Sequence, residues 1–322
     1  MTENNNTPYQ NLFPELILAS IESLGLRCSG SMLALNSYEN RVYQIGIEDA
    51  APMIAKFYRP GRWSDATILE EHQFALELME HEIPVVAPWV AANKETLHHY
   101  QGHRFTLFPR WSGRALELDS FEQLQWMGRF IGRLHAVGAC RSFQHRSKLT
   151  VQTHGYDTYR FLIDENFIPS ELKQEYCRTV EAVLQKVEQC FEAAGSLTYI
   201  RLHGDMHASN VLWNNAGPHI VDLDDCMMGP AIQDIWMLLT GGERQVEAEI
   251  ECILRGYREF HDFNYCEVSL IESLRSLRML YYSAWLARRW EDPAFPLNFP
   301  WFNTRPYWQE QLQNMQEQLE IL

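Results

Sequence analysis

The hydrophobic period of this chain changes once, near Pro109, and that change limits the folds open to it. Upstream the period is two. Ser31–Asn36, Arg41–Ile47 and Pro52–Tyr58 are short, rich in Val, Ile and Tyr, and separated by turn-forming residues, which predicts strands. Arg104–Phe108 predicts another, and the stretches from Ile83 and over Thr96–Tyr100 read as extended. Two helices are expected among them. One runs Pro14–Leu24 and stops at Gly25; the other is N-capped by Ser64 and runs to His81, with Ile68, Leu69, Phe74, Leu78 and Met79 as its apolar stripe. Downstream of Pro109 the spacing becomes three and four. Helices are predicted over Phe121–Val137 and Ser170–Ala194, and near Ala231–Leu239, Val246–Phe260, Val268–Trp290 and Pro306–Leu319. The expected fold class is α+β with two lobes: a small, mainly antiparallel N-lobe over residues 1–110 and a larger helical C-lobe over 111–322. A cleft between two such lobes is the default place for a ligand.

Composition narrows the function classes. A hydrophobic fraction of 46% with 21% charged residues gives an ordinary core and excludes a disordered chain. The net charge of −15 argues against a nucleic-acid partner, whose binding would rest on phosphate neutralisation, and against docking on an anionic membrane. It also suits an acidic cleft that takes cationic substrates. The seven cysteines are scattered and form no C-x-x-C pair, as in reduced cytosolic thiols rather than a disulfide frame or zinc site. Met1–Gln10 shows no signal peptide, and charges interrupt every apolar stretch. A cytoplasmic monomer is the expectation.

The chemistry is concentrated in two segments. Leu202-His-Gly-Asp-Met-His-Ala-Ser-Asn-Val-Leu-Trp213 is a polar loop running into an apolar strand, and His219-Ile-Val-Asp222 is an apolar strand that delivers a carboxylate at its end. Phosphoryl transfer needs these residue types: one carboxylate to take the proton of the attacking hydroxyl, and an amide oxygen with a second carboxylate to hold Mg²⁺ against the ATP phosphates. Mg²⁺ is hard and prefers oxygen, so Asn with Asp fits. Asp205 is the candidate base, Asn210 and Asp222 are the candidate metal ligands, and Asp222 is counted with Asp205 as catalytic. Asp224 or Asp225 offers support for a second ion. Taken singly these are ordinary turn and cap residues; taken as one spaced set they point to chemistry. A rival cluster of His203, Asp205 and His207 around a metal lacks a further Cys or Glu ligand. His203 is expected instead to organise the loop by bonding to backbone.

H-G-D-x-H-x-x-N followed by I-x-D resembles the aminoglycoside phosphotransferase and choline kinase group, and the resemblance extends over most of the chain. It implies the bilobal protein-kinase-like fold, with Mg²⁺ and ATP as cofactor and co-substrate. Ile54-Ala-Lys-Phe-Tyr-Arg-Pro60 looks like the group's third strand, which makes Lys56 the lysine on the α/β-phosphates. Leu69–Leu76 looks like the helix bearing its ion-pair partner, and register favours Glu71 over Glu70. The turn Asn36–Arg41 stands where protein kinases carry G-x-G-x-x-G, a pattern this chain lacks; backbone N–H groups there can still cradle phosphate, with the Ser37 hydroxyl added. Phe108–Trp111 resembles the adenine hinge. Asp234 resembles the group's aspartate that holds the catalytic loop. It follows Asp222 too closely to leave room for a long activation segment.

Three stretches, Leu35–Tyr43, Leu202–Asn210 and Ala284–Trp301, resemble a bacterial serine/threonine protein kinase branch of the group. That resemblance implies protein substrates with Ser or Thr acceptors and a role in a stress response. The aromatics of the last stretch, Trp285, Trp290, Phe295, Phe299 and Trp301, are expected to pack rather than line a groove. Two other readings stay open: a kinase for an amino alcohol, aminoglycoside or homoserine-like acceptor, and a pseudokinase scaffold, against which the intact Lys56, Asp205, Asn210 and Asp222 set speaks.

Overall fold

The computed structural model describes residues 8–118, 120–214, 217–240 and 243–322. The expectations placed on residues 1–7, including the Asn run, lie outside them. The chain opens with α1 (Pro14–Glu22), then β1 (Cys28–Leu35), β2 (Arg41–Ile47) and β3 (Met53–Phe57), followed by α2 (Asp65–Glu80), β4 (His98–Tyr100) and β5 (His103–Pro109). The five strands form one antiparallel sheet in the order β1-β2-β3-β5-β4. Its register places Lys56 opposite Val42 and Thr106 on the central strand. A core of Ile17, Ile21, Ile45, Ala55, Phe57, Phe105 and Leu107 fills the space between α1 and the sheet. Each of the Ile, Leu and Phe side chains contributes roughly 1.5–3 kcal/mol by leaving water.

After Pro109 the chain is largely helical. β6 (Arg114–Ala115) leads to α3 (Phe121–Gly138), α4 (Asp157–Asp164) and α5 (Ser170–Ala193). Next come β7 (Ile200–Leu202), β8 (Val211–Asn214), β9 (Gly217–Ile220) and β10 (Met227–Gly229), which pair into two small sheets, β10-β7 and β6-β8-β9. The chain closes with α6 (Ile232–Trp236), α7 (Glu243–Tyr257), α8 (Ile271–Ala287), α9 (Ala294–Asn298) and α10 (Arg305–Ile321). The N-lobe sheet with a helical remainder is the architecture that the change of period predicts. Gly128 lets α3 lie directly on α7, since a Cβ there would stand 2.0 Å from the Ile253 carbonyl oxygen.

Several expectations need correction. The helix expected near Ala231–Leu239 is only the short α6, and the one expected from Val268 begins as a 3-10 turn over Tyr265–Leu270 before α8. A wide π-helical turn over Val151–Tyr156 and α4 were not expected; the turn starts from a capping box of Thr150 and Thr153. In α2 the apolar stripe is misplaced. Ile68, Phe74 and Leu78 are buried as expected, but Leu69 and Met79 are 46% and 50% exposed. The helix serves two neighbours: Ile68 packs with Tyr58 and Leu97, while Phe74, Ala75 and Leu78 enter the large helical core. The face between them is polar, and it carries Glu71 and His72 inward.

Candidate active site

The chain places the end of β3, the middle of α2, the β7–β8 loop and the β9–β10 turn around one cavity of about 850 Å³. Lys56 sits on β3 with only 5% of its surface exposed. Its Nζ lies 3.5 Å from Glu71 Oε1, 3.2 Å from Asp222 Oδ1 and 3.0 Å from Asp224 Oδ1. Burial disfavours its charge, yet Asp224, Glu71 and Asp222 more than offset this and hold the ammonium well above the ordinary lysine range. Glu71 is therefore on the register that the sequence favours. Glu70 points the other way and does separate work: its carboxylate accepts the N–H groups of Gln144, His145 and Arg146.

The β7–β8 loop is held by a buried scaffold. Asp234 accepts the N–H groups of His203 at 2.7 Å and Gly204 at 2.8 Å, and is itself met by His135 Nε2 at 3.1 Å. His203 is fully buried; Nε2 reaches the Val221 carbonyl at 2.9 Å and Nδ1 accepts the Asp205 N–H at 3.3 Å. Both ring nitrogens thus go to backbone, which leaves none for the rival metal cluster. Gly204 adopts φ +85°, and a Cβ there would stand 2.2 Å from the Asp225 carbonyl oxygen. The loop and the β9–β10 turn meet at this glycine.

Asp205 projects into the cavity. Its Oδ1 pairs with Arg278 Nη1 of α8 at 2.9 Å and its Oδ2 with His207 Nε2 at 3.3 Å. Burial pushes this carboxyl up, but the His207 hydrogen bond and the Arg278 charge outweigh it and hold the group well below the usual carboxylate range. Asn210 donates Nδ2 to the Asp205 carbonyl at 2.9 Å, so its Oδ1 is the end available to a cation. Asp222 has left-handed backbone angles, φ 61° and ψ 66°, a conformation that costs a non-glycine residue about 1–3 kcal/mol and tends to persist at functional sites. Its side chain is 56% exposed.

No three His, Cys, Asp or Glu side chains among the described residues form a cage able to hold a metal unaided. Mg²⁺ would need only one or two protein oxygens, completing its shell with phosphate and water. Asn210 and Asp222 offer hard oxygens. Asp224 is 3% exposed, and its Oδ1 has no hydrogen bond, only the Lys56 charge.

Ser37 lines the cavity, but its hydroxyl donates to the Asn40 carbonyl at 3.1 Å within its own turn. The sequence reading missed the residues beside it. Asn40 Nδ2 donates to Asp224 at 3.2 Å. Glu39 is bound by Arg289, and by Trp285 Nε1 at 2.9 Å. The Ala284–Trp301 stretch, expected only to pack, therefore also ties the β1–β2 turn to the C-lobe. Arg62 and Arg278 were likewise missed, although the Arg-Pro-Gly-Arg turn was a visible signal. On the hinge side, Val42, Ile54, Val86, Phe108, Trp111 and Leu212 form an apolar slot, with Trp111 stacked on His219 at 4.0 Å.

Residues 32–270 match the family described as "Phosphotransferase enzyme family", about three quarters of the chain. The chain belongs to this family. It is 44% identical, over 99% of its length and 96% of the relative's, to stress response kinase A of Salmonella choleraesuis (strain SC-B67). At 43% over the same shares it is similar to stress response kinase A of Escherichia coli (strain K12) and to the serine/threonine protein kinase RdoA of Salmonella typhimurium. Among solved structures it is similar in fold to the amicoumacin kinase hAmiN in complex with AMP-PNP, Ca²⁺ and Ami, with TM-score 0.73, 19% identity, and 96% and 93% of the two chains covered. A microcompartment-associated aminopropanol kinase follows at TM-score 0.69, 17% identity, and 94% and 95% covered. The family's phosphotransferase chemistry thus applies to this chain. Among the described residues no helix is long and apolar enough to cross a membrane.

Proposed function

We propose that this phosphotransferase is a Mg²⁺- and ATP-dependent serine/threonine protein kinase that acts in the cytoplasm, as a monomer, in a stress response. The observation that carries the reading is the convergence of Lys56, Asp205, Asn210 and Asp222 on one cavity. In this reading residues 1–110 bind nucleotide and residues 111–322 carry the catalytic loop, metal ligands and acceptor surface. Lys56, fixed by Glu71, binds the α/β-phosphates, and the Asn36–Arg41 turn with Ser37 covers them. Asn210 and Asp222 would hold Mg²⁺, which when bound offsets charge developing on the phosphates. Asp205 orients the acceptor hydroxyl and takes its proton. Positioning and electrostatics supply most of the acceleration, with the base worth roughly 10²–10⁴-fold.

Two observations favour a protein acceptor. The relatives at 43–44% identity carry protein-kinase or stress-kinase names. Beyond the catalytic set the cavity is lined by Arg278, Tyr281, Tyr282, Trp285 and Phe299, and the carboxylates Glu39 and Asp225 that also line it are already paired, with Arg289 and Arg62. A cationic acceptor gains little there. The small-molecule reading draws on the fold neighbours, whose names include amicoumacin and aminopropanol kinases. Incubation with labelled ATP, a generic protein and a panel of amino alcohols and aminoglycosides separates the two. Label in the protein is expected; label only in the small molecules sinks the protein-kinase reading, and no turnover at all returns the pseudokinase.

A further inference from the structure

Arg62 is a buried guanidinium that the transfer chemistry does not call for. It leaves the N-lobe from the turn after β3 and lines the cavity with 8% of its side chain exposed. Nη1 pairs with Asp224 Oδ2 and Nη2 with Asp225 Oδ1. A third carboxylate, Glu39 on the turn that would cover the phosphates, stands 3.9 Å from Nη1. Lys56 and Asn40 reach Asp224 from the other sides. A buried carboxylate without a counter-charge is costly, so Asp224 keeps a cation beside it in every state of the protein. Any divalent ion that draws on Asp224 meets a cation already in place.

We propose that Arg62 is a positioning residue that stands in for a metal ion: it holds Asp224 and Asp225 in the nucleotide-free protein and weakens divalent-ion binding there until the ion arrives with nucleotide phosphates. Glu39 is then the partner left to Arg62, which couples metal loading to the phosphate-covering turn. The inference rests on the kinase reading above. Two cations that compete for one carboxylate weaken each other reciprocally, so removing Arg62 strengthens the metal.

The test is Mn²⁺ titration, read by the spectrum of the free ion, on the full chain without nucleotide. Arg62→Met keeps the stem and removes the charge; it is expected to bind Mn²⁺ about tenfold or more tightly than wild type, while Arg62→Lys stays near wild type. A merely structural arginine would lower the melting temperature and leave Mn²⁺ affinity unchanged or weaker; that result in folded Arg62→Met overturns the proposal. Should Arg62→Met fail to fold, wild type alone decides. Mn²⁺ is expected to bind about tenfold or more tightly with a nonhydrolysable ATP analogue than without, and equal affinity in the two states overturns the stand-in role. Absence of Mn²⁺ binding even with the analogue counts against the kinase reading itself.

Discussion

Arg278 Nη1 lies 2.9 Å from Asp205 Oδ1, so the carboxylate of the H-G-D motif receives its counter-ion from α8, beyond the span that matches the family. This pair, with His207, keeps Asp205 ionised and aims it into the cavity.

Asp205→Asn is expected to keep nucleotide binding and lose roughly 10²–10⁴-fold in kcat, the usual worth of a positioned base. Arg278→Gln removes the positive charge that holds the Asp205 carboxyl down. The carboxyl then rises, and activity disappears on acidification at a higher pH than in wild type. Superimposable acid limbs for Arg278→Gln and wild type would show that the ion pair does not set the base.

Asp222→Ala is expected to abolish metal-dependent nucleotide binding. Its side chain is 56% exposed, and Lys56 retains Glu71 and Asp224, so the melting temperature should change little. Calorimetric titration with Mg²⁺ and an ATP analogue checks this, and wild-type affinity in the variant rejects Asp222 as a ligand.

His154 lines the cavity, stacks on Tyr281 at 4.9 Å, and is pushed down by burial to about 4 from an ordinary 6.5. The folded protein holds it neutral while the unfolded chain takes up a proton below about pH 6.5, so its contribution to stability is lost as pH falls through that range. The loss is about 1.4 kcal/mol per pH unit. Urea unfolding at about pH 7 and about pH 5.5 should show wild type losing about 1 kcal/mol more than His154→Gln over that interval. Parallel losses in the two proteins would assign the pH dependence elsewhere.

Gly204→Ala places a Cβ against the Asp225 carbonyl in a left-handed conformation. The strain is of order 1–3 kcal/mol, and it falls between the loop that carries Asp205 and the turn that carries Asp222. The variant is expected to melt several degrees lower and to lose activity out of proportion to its unfolded fraction at the assay temperature. Full activity would mean that the two segments tolerate separation.

Much of this was legible because it is local. Period two upstream and period 3.6 downstream set the strands and helices, and β2 runs Arg41–Ile47 as expected. The Ser64 cap does accept the Thr67 N–H at 3.1 Å. The stripe of α2 failed at Leu69 and Met79 because two partners, not one, bury that helix, and a single-face pattern cannot express this. Glu39 and Arg62 were missed for a related reason. In the sequence they are charged turn residues, ordinarily solvated; only the closure of the lobes removes their water and leaves them each other, Asp224 and Arg289 as partners.

By itself the sequence determined most of the succession of elements and the kind of chemistry. Backbone preference, capping and burial pattern act between near neighbours, and the spaced Asp, Asn and Asp side chains can be read in order. The tertiary structure decided which charges meet. Ion pairing falls steeply with distance and strengthens as water is excluded, so Lys56 with Asp224, Asp205 with Arg278 and Glu39 with Arg289 exist only where packing brings remote segments together.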